Sequence, residues 1–147
     1  MSTYSFLDSV ASLVGPGGAV NLGAGAGNSD EGITIEPNED IGTMTIGADG
    51  TPMHSLHANK SGTVTVRLLK TSPVNQKLAQ MYALQTASGS TYGQNTITVG
   101  NTSLQDSSTC QQVAFKRAPT ISYAKDAAVM EWTFNAGIID RTLGAVA

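Results

Sequence analysis

Short runs in which β-branched and polar residues alternate, each cut off by glycine, proline or asparagine, make up nearly the whole chain. Alternation at every second residue sends successive side chains to opposite faces, so Ile33-Thr34-Ile35, Thr43-Met44-Thr45-Ile46 and Thr63-Val64-Thr65-Val66-Arg67-Leu68 read as half-buried strands. Residues 4–11 open a first strand that runs into Gly15-Pro16-Gly17-Gly18, a turn leading back along residues 19–22 as a hairpin. The Gly/Ala stretch 23–28 is too costly in backbone entropy for a strand interior and reads as a mobile loop. Pro37 is expected to end its strand or to place it on an edge. Further strands are expected at 94–99, 111–116, 129–135 and 138–143.

One stretch follows a different period. Ser72 is set as N-cap, Pro73 as the first helical residue, and Val74, Leu78, Met81, Tyr82 and Gln85 fall on one helical face before Ser88-Gly89-Ser90 stops the run. A single helix over about residues 73–87 among roughly eight short strands predicts a mainly β fold: an antiparallel sandwich or barrel with the helix packed over one side. The 147 residues fit one domain, 1–147, without an interdomain linker. Residues 47–62 lack clear periodicity and read as an extended loop. Loops of that length are uncommon unless they bind something, and Met53 and Leu56 are apolar in polar surroundings, so this loop is expected to dock on another molecule.

Charge is divided along the chain. Residues 1–50 carry seven acids and no base, a net of −7, whereas residues 51–147 carry eight bases and four acids, a net of +4. Complementary fields of this kind fix orientation and partner choice when copies pack on one another, which points to self-assembly. Only 13% of residues are charged, against about 25% in ordinary soluble domains, so much of the surface is neutral and can be buried with little desolvation cost. No apolar run approaches the ~20 residues that span a bilayer, and the N-terminus lacks the features of a secretory signal, so neither membrane insertion nor secretion is expected. Cys110 stands alone and reads as a small buried apolar residue.

A search for chemistry returns little. His54 and His57 lie in the Gly/Pro-rich loop without the further donors that a tetrahedral metal site needs. The nearest approach to a nucleophile elbow, Gly89-Ser90-Thr91-Tyr92-Gly93, places threonine at its centre. Gly23-x-Gly25-x-Gly27 opens no helix, and no phosphate-binding Gly-Lys-Ser/Thr occurs. The acid pairs Asp30-Glu31 and Glu39-Asp40 flank turns and read as solvated residues. The bases are dispersed and the pI is about 5.1, which opposes sequence-specific DNA binding. No catalytic residue, metal or cofactor is expected.

The strings Thr43–Gly50 (TMTIGADG), Met53–Ala58 (MHSLHA) and, above all, Lys60–Asn75 (KSGTVTVRLLKTSPVN) resemble a family of tail tube proteins from contractile-tailed bacteriophages. Tyr4-Ser-Phe-Leu-Asp8 and Gly15-Pro-Gly-Gly18 carry the same likeness, which covers most of the chain. The resemblance implies a β-sandwich with a flanking helix, six copies closing into a ring, and rings stacking into a tube inside a contractile sheath. Implied partners are further copies of the chain, the sheath protein, baseplate and tail terminator proteins, and the tape measure protein and DNA in the lumen. The implied location is the virion tail, with the host cytoplasm during assembly. The tube of a related injection or secretion system, or a neck, terminator or baseplate protein of the same fold, is the alternative. The loop 47–62, with Asp49, Met53, His54, Leu56, His57 and Lys60, is the expected bridge between rings. A wall rich in Lys and Arg would hold DNA by counterion release, so the lumen is expected to be acidic. Asp8, Glu36 and Glu131, on expected strands, are its candidate lining residues.

Overall fold

A computed structural model describes residues 4–23, 28–102, 104–126 and 129–143, with the backbone path alone at 28–31. A single 3-10 turn at Phe6–Asp8 leads into β1 (Ser9–Gly15), β2 (Gly18–Asn21), β3 (Asn28–Pro37), β4 (Gly42–Ile46), β5 (Pro52–Leu56) and β6 (Gly62–Leu68). After α1 (Val74–Thr86) come β7 (Asn95–Asn101), β8 (Asp106–Arg117) and β9 (Met130–Thr142). Seven strands form one antiparallel sheet in the order β2-β1-β7-β8-β9-β6-β3, and β4 pairs with β5 as a separate hairpin. The expectation of an antiparallel, mainly β fold with one helix therefore holds.

Alternation builds the core. Along β6, Gly62, Val64, Val66 and Leu68 are buried while Thr63, Thr65 and Arg67 face the other way. Opposite them in β9, Trp132, Phe134 and Ala136 turn inward, and β1 adds Ala11 and Leu13, β7 adds Ile97, and β8 adds Cys110, Val113 and Phe115. Leu78 and Met81 of α1 close this cluster, with Tyr82 edge-on to both Phe115 and Trp132. The sheet curls around its contents: Phe6, just ahead of β1, reaches Gly32 of β3, where an added Cβ would stand 3.5 Å from its Cε1.

The helix is fixed at both ends by polar contacts. The helix starts one residue later than expected, at Val74, with Pro73 rather than Ser72 at its N-cap position, and Ser72 Oγ just ahead of it accepts from the Val74 amide at 3.3 Å. Asn75 donates to the Leu69 carbonyl and accepts from the Trp132 indole, each at 3.0 Å. At the far end Gln85 and Asn95, both fully buried, exchange side-chain hydrogen bonds of 2.8 and 2.6 Å. Gln85 donates also to the Pro16 carbonyl and Asn95 to the Val113 carbonyl. The first hairpin passes so close that a Cβ on Gly15 would lie 1.9 Å from Asn95 Oδ1, so only glycine fits.

Four expectations need correction. The first strand begins at Ser9, not at residue 4, because Ser5 Oγ accepts from the Leu7 amide and its carbonyl from Asp8, winding 6–8 into a turn. Asp8 is therefore not on a strand. Residues 129–135 and 138–143 form one strand, since Ala136 and Ile138 both pair with β8 across Gly137. An extra residue in β8 opposite β7, with Gln112 at φ 53°, shifts the phase there, so that Cys110 and Val113 both face inward. Residues 47–62 are not one irregular loop, because 52–56 pair with 42–46. The Gly/Ala loop lies largely outside the described residues, at 24–27.

Replacing Gln85 by Ala leaves Asn95 Oδ1 without its donor and one Asn95 N–H without its acceptor, although the bond to the Val113 carbonyl stays; an unsatisfied buried group costs ~1–3 kcal/mol, and urea unfolding should register a loss in that range plus the lost packing. Gly15→Ala should cost about as much by forcing Asn95 aside. Burial pushes the Cys110 thiol above its ordinary pKa. The neutral form is thus favoured by folding, its contribution is complete below the unfolded thiol's pKa of about 8.5, and stability should fall as pH rises beyond that. Cys110→Ser should flatten that alkaline limb in a pH series of denaturant titrations.

Candidate assembly surfaces

β3 leads out of the sheet at Pro37 and β6 re-enters at Gly62, its register partner, so residues 38–61 stand out from that end as one excursion. Its base is tied by the His57 amide donating to the Ile41 carbonyl at 2.8 Å and by Thr43 Oγ1 meeting His57 Nε2 at 3.3 Å. Lys60 takes part through its carbonyl, which accepts from the Ile139 amide at 2.9 Å. At the tip, Asp49 Oδ1 accepts from the Thr51 amide at 3.0 Å, and this bond holds its carboxyl below the ordinary pKa.

Pairing of Met44 with His54 and of Ile46 with Pro52 sorts the hairpin into two faces. One carries Met44, Ile46, Pro52, His54 and Leu56; the other carries Thr43, Thr45, Met53 and Ser55. Neither is covered: Met44 is 58% exposed, Ile46 54%, Met53 59% and Leu56 84%. An isolated two-stranded hairpin is marginally stable in water, and a contiguous apolar face on one marks a surface meant for a partner. Sequence reasoning points to Leu56 on this apolar face and to Met53 on the opposite one but misses Met44 and Ile46, which lie beside Leu56; the alternation at 43–46 carries that signal, although it equally suits a half-buried strand.

The face of the main sheet turned away from the core forms a second surface. Registers place Glu36, Thr63 and Asn135 in one row, Thr34, Thr65 and Thr133 in the next, and Arg67 with Glu131 in a third. Arg67 donates to Thr34 Oγ1 at 2.8 Å and its Nε stands 3.4 Å from Glu131 Oε2. Two of the candidate lining acids, Glu36 and Glu131, thus share a hydroxyl-rich face, whereas Asp8 lies in the turn before β1 and in none of these rows. The third surface is backbone: among the described residues, the edge strands β2 and β3 each have a strand partner on one side only. Among the described residues no three His, Cys, Asp or Glu side chains gather as metal ligands, and His54 and His57 serve the hairpin.

A family model for the bacteriophage PhiTE tail tube protein matches residues 1–144. The chain belongs to that tail tube family. The family is a structural one, so surfaces made for packing are the features to expect. No curated protein matches the sequence significantly. Among solved structures, the fold is shared with a chain of the PVC sheath-tube complex of an extracellular contractile injection system in the extended state, at 12% identity and TM-score 0.58, over 96% of this chain and 92% of that one. The PVC sheath/tube terminator matches at 15% and 0.59 over 97% and 98%. The tube-terminating cap of the anti-feeding prophage matches at 11% and 0.57 over 98% and 93%.

Leu56→Ser removes exposed apolar surface and no core contact, so monomer stability should stay within about 0.5 kcal/mol. Sedimentation of the same variant under assembly conditions should show the polymer lost.

Proposed function

We propose that this chain is the repeating subunit of an inner tail tube, in which six copies close into a ring and rings stack inside a contractile sheath to leave a channel for DNA. The observation that carries the reading is the seven-stranded sheet whose edge strands, β2 and β3, have a partner on one side only among the described residues. A head-to-tail pairing of β2 in one copy with β3 in the next completes the hydrogen bonding of both, and such a contact generates a ring when its rotation closes. Membership of the tail tube family and the fold shared with injection-system tube and terminator chains support it. The sheath, baseplate and terminator proteins are then its neighbours in the virion tail, with tape measure and DNA inside, and assembly takes place in the host cytoplasm. No step of this work needs catalysis.

The hydroxyl-rich face suits the channel wall. Threonines offer neutral hydrogen bonding, and Glu36 with Glu131 opposes retention of a polyanion, while Arg67 is engaged with Glu131. Asp8 would face the lumen only if the turn before β1 reaches the channel. A wall of this kind lets DNA slide, because few counterions are released on contact. The second reading is a terminator, cap or baseplate ring of the same fold, favoured by the likeness to the terminator and cap structures above.

Negative-stain electron microscopy of the purified protein should show six-membered rings and tubes; monomers alone at high concentration would refute the proposal, and single rings that never stack would favour the terminator reading. Glu36→Lys together with Glu131→Lys should make assembled tubes co-sediment with DNA, an effect that fades as salt is raised, while the parent tubes leave the DNA in the supernatant.

A further inference from the structure

The chain has two histidines, and both fall within the excursion between β3 and β6, at positions 54 and 57. They hold different places in it. His57 lies just past β5 and is half-buried, its amide given to the Ile41 carbonyl and its Nε2 against Thr43 Oγ1 on the hydroxyl-bearing face. His54 stands in the middle of β5 and is exposed, with Met44 as its register partner across the hairpin. Its neighbours on the same face are Pro52 and Leu56 along the strand and Gly42 and Ile46 on the diagonals. None of them can neutralise a cation. Among the described residues β5 pairs with β4 alone, so no further strand brings a charge to this face. Asp49 sits at the tip beyond the Ile46–Pro52 pair, Glu39 and Asp40 come before β4, and Lys60 comes after β5.

A face of Met, Ile, Pro and Leu gains by leaving water, whereas an imidazolium at its centre loses its hydration and finds no carboxylate in return. A neutral imidazole presents an apolar ring and is buried at far smaller cost. We infer that His54 makes the hairpin contact between copies a pH-gated joint, closed while the imidazole is neutral and loosened when it takes up a proton. The inference rests on the tube reading and deepens it by giving that contact a control. Its sign follows from linkage. An exposed imidazole ionises near pH 6.5, and burial among apolar groups favours the neutral form, so each docked hairpin excludes a proton. The joint therefore has its full strength above that pH and weakens as pH falls through it. Between pH 7.5 and 5.5 the association constant drops about tenfold per contact, and contacts acting together around a ring multiply the loss. Carboxylates, with ordinary values of about 4, keep their charge over this range. His57 is the other group that titrates there, and it serves the opposite face.

The test follows assembly of the full chain by sedimentation and electron microscopy in buffers from pH 7.5 to 5.5 at constant salt. The protein concentration needed for tubes is expected to rise at least tenfold across that range, while urea unfolding of the unassembled chain stays unchanged because His54 is exposed there. His54→Gln and His54→Met, neutral at every pH, should each abolish the dependence, and His57→Gln should leave it in place. Parent tubes that form equally well at both pH values overturn the gate but leave the tube reading standing, whereas a parent that forms no tubes at any pH overturns both. A dependence that survives in the His54 variants, or a chain that unfolds at pH 5.5, also overturns the gate. So do tubes that grow better in acid, since a carboxylate then stands opposite His54. If neither His54 variant assembles, proton uptake during acid dissolution of parent tubes decides: close to one proton per subunit beyond that of the His57→Gln control is not required, but an uptake below half a proton per subunit overturns the proposal.

Discussion

The reciprocal amide pair between Gln85 and Asn95 holds the architecture together. Helix and sheet could slide over one another on apolar contacts alone, which are not directional. Two buried amides that satisfy each other, and then the Pro16 and Val113 carbonyls, permit a single seating of α1 over the first hairpin, β7 and β8. Gly15 belongs to the same device, since any side chain there would occupy the space of Asn95 Oδ1. Everything outward of the sheet takes its position from this anchored layer.

On that anchored layer, the strand period divides labour between two faces. Inward positions of β6 and β9 are Val, Leu, Trp and Phe; outward ones are Thr, Asn and the Arg67–Glu131 pair. Threonine serves both demands of an outward strand position, because its β-branch favours extended backbone and its hydroxyl keeps the surface wettable. The low charge content read from composition is therefore localised: much of the sheet's outer face is hydroxyl, with Glu36 and the Arg67–Glu131 pair on it, while Glu39, Asp40 and Asp49 stand on the excursion between β3 and β6.

Much of the fold was legible in the residues, and the failures have local causes. The helix was placed within a residue or two by Ser72, Pro73 and the spacing of Leu78, Met81 and Gln85, and the turn at 15–18 by its glycines. β5 was missed because Pro52, His54 and Ser55 mask its alternation, and because it pairs with β4 alone, away from any core that would demand a hydrophobic stripe. Gly137 was taken as a break, although a glycine can pass through a ladder where the opposing Gln112 crowds it. For the candidate surfaces, the sequence pointed to Met53, Leu56 and Asp49 through composition. It was silent on the contact of Lys70 with the Ser122 carbonyl and the Tyr123 ring, 53 positions further along the chain, which is made because the connection between β8 and β9 passes beside the end of β6.

Among the described residues the two edge strands are unequal: β2 has four residues and β3 ten. Were copies to add edge to edge, the shorter strand would limit the match, and part of β3 would keep amides and carbonyls for another neighbour. In a finished particle those groups fall to whatever lies alongside. In a cell overproducing the protein without its companions, they form a sticky rail on which disordered fibres can nucleate, which makes the order and timing of synthesis as much a part of this molecule's chemistry as its packing.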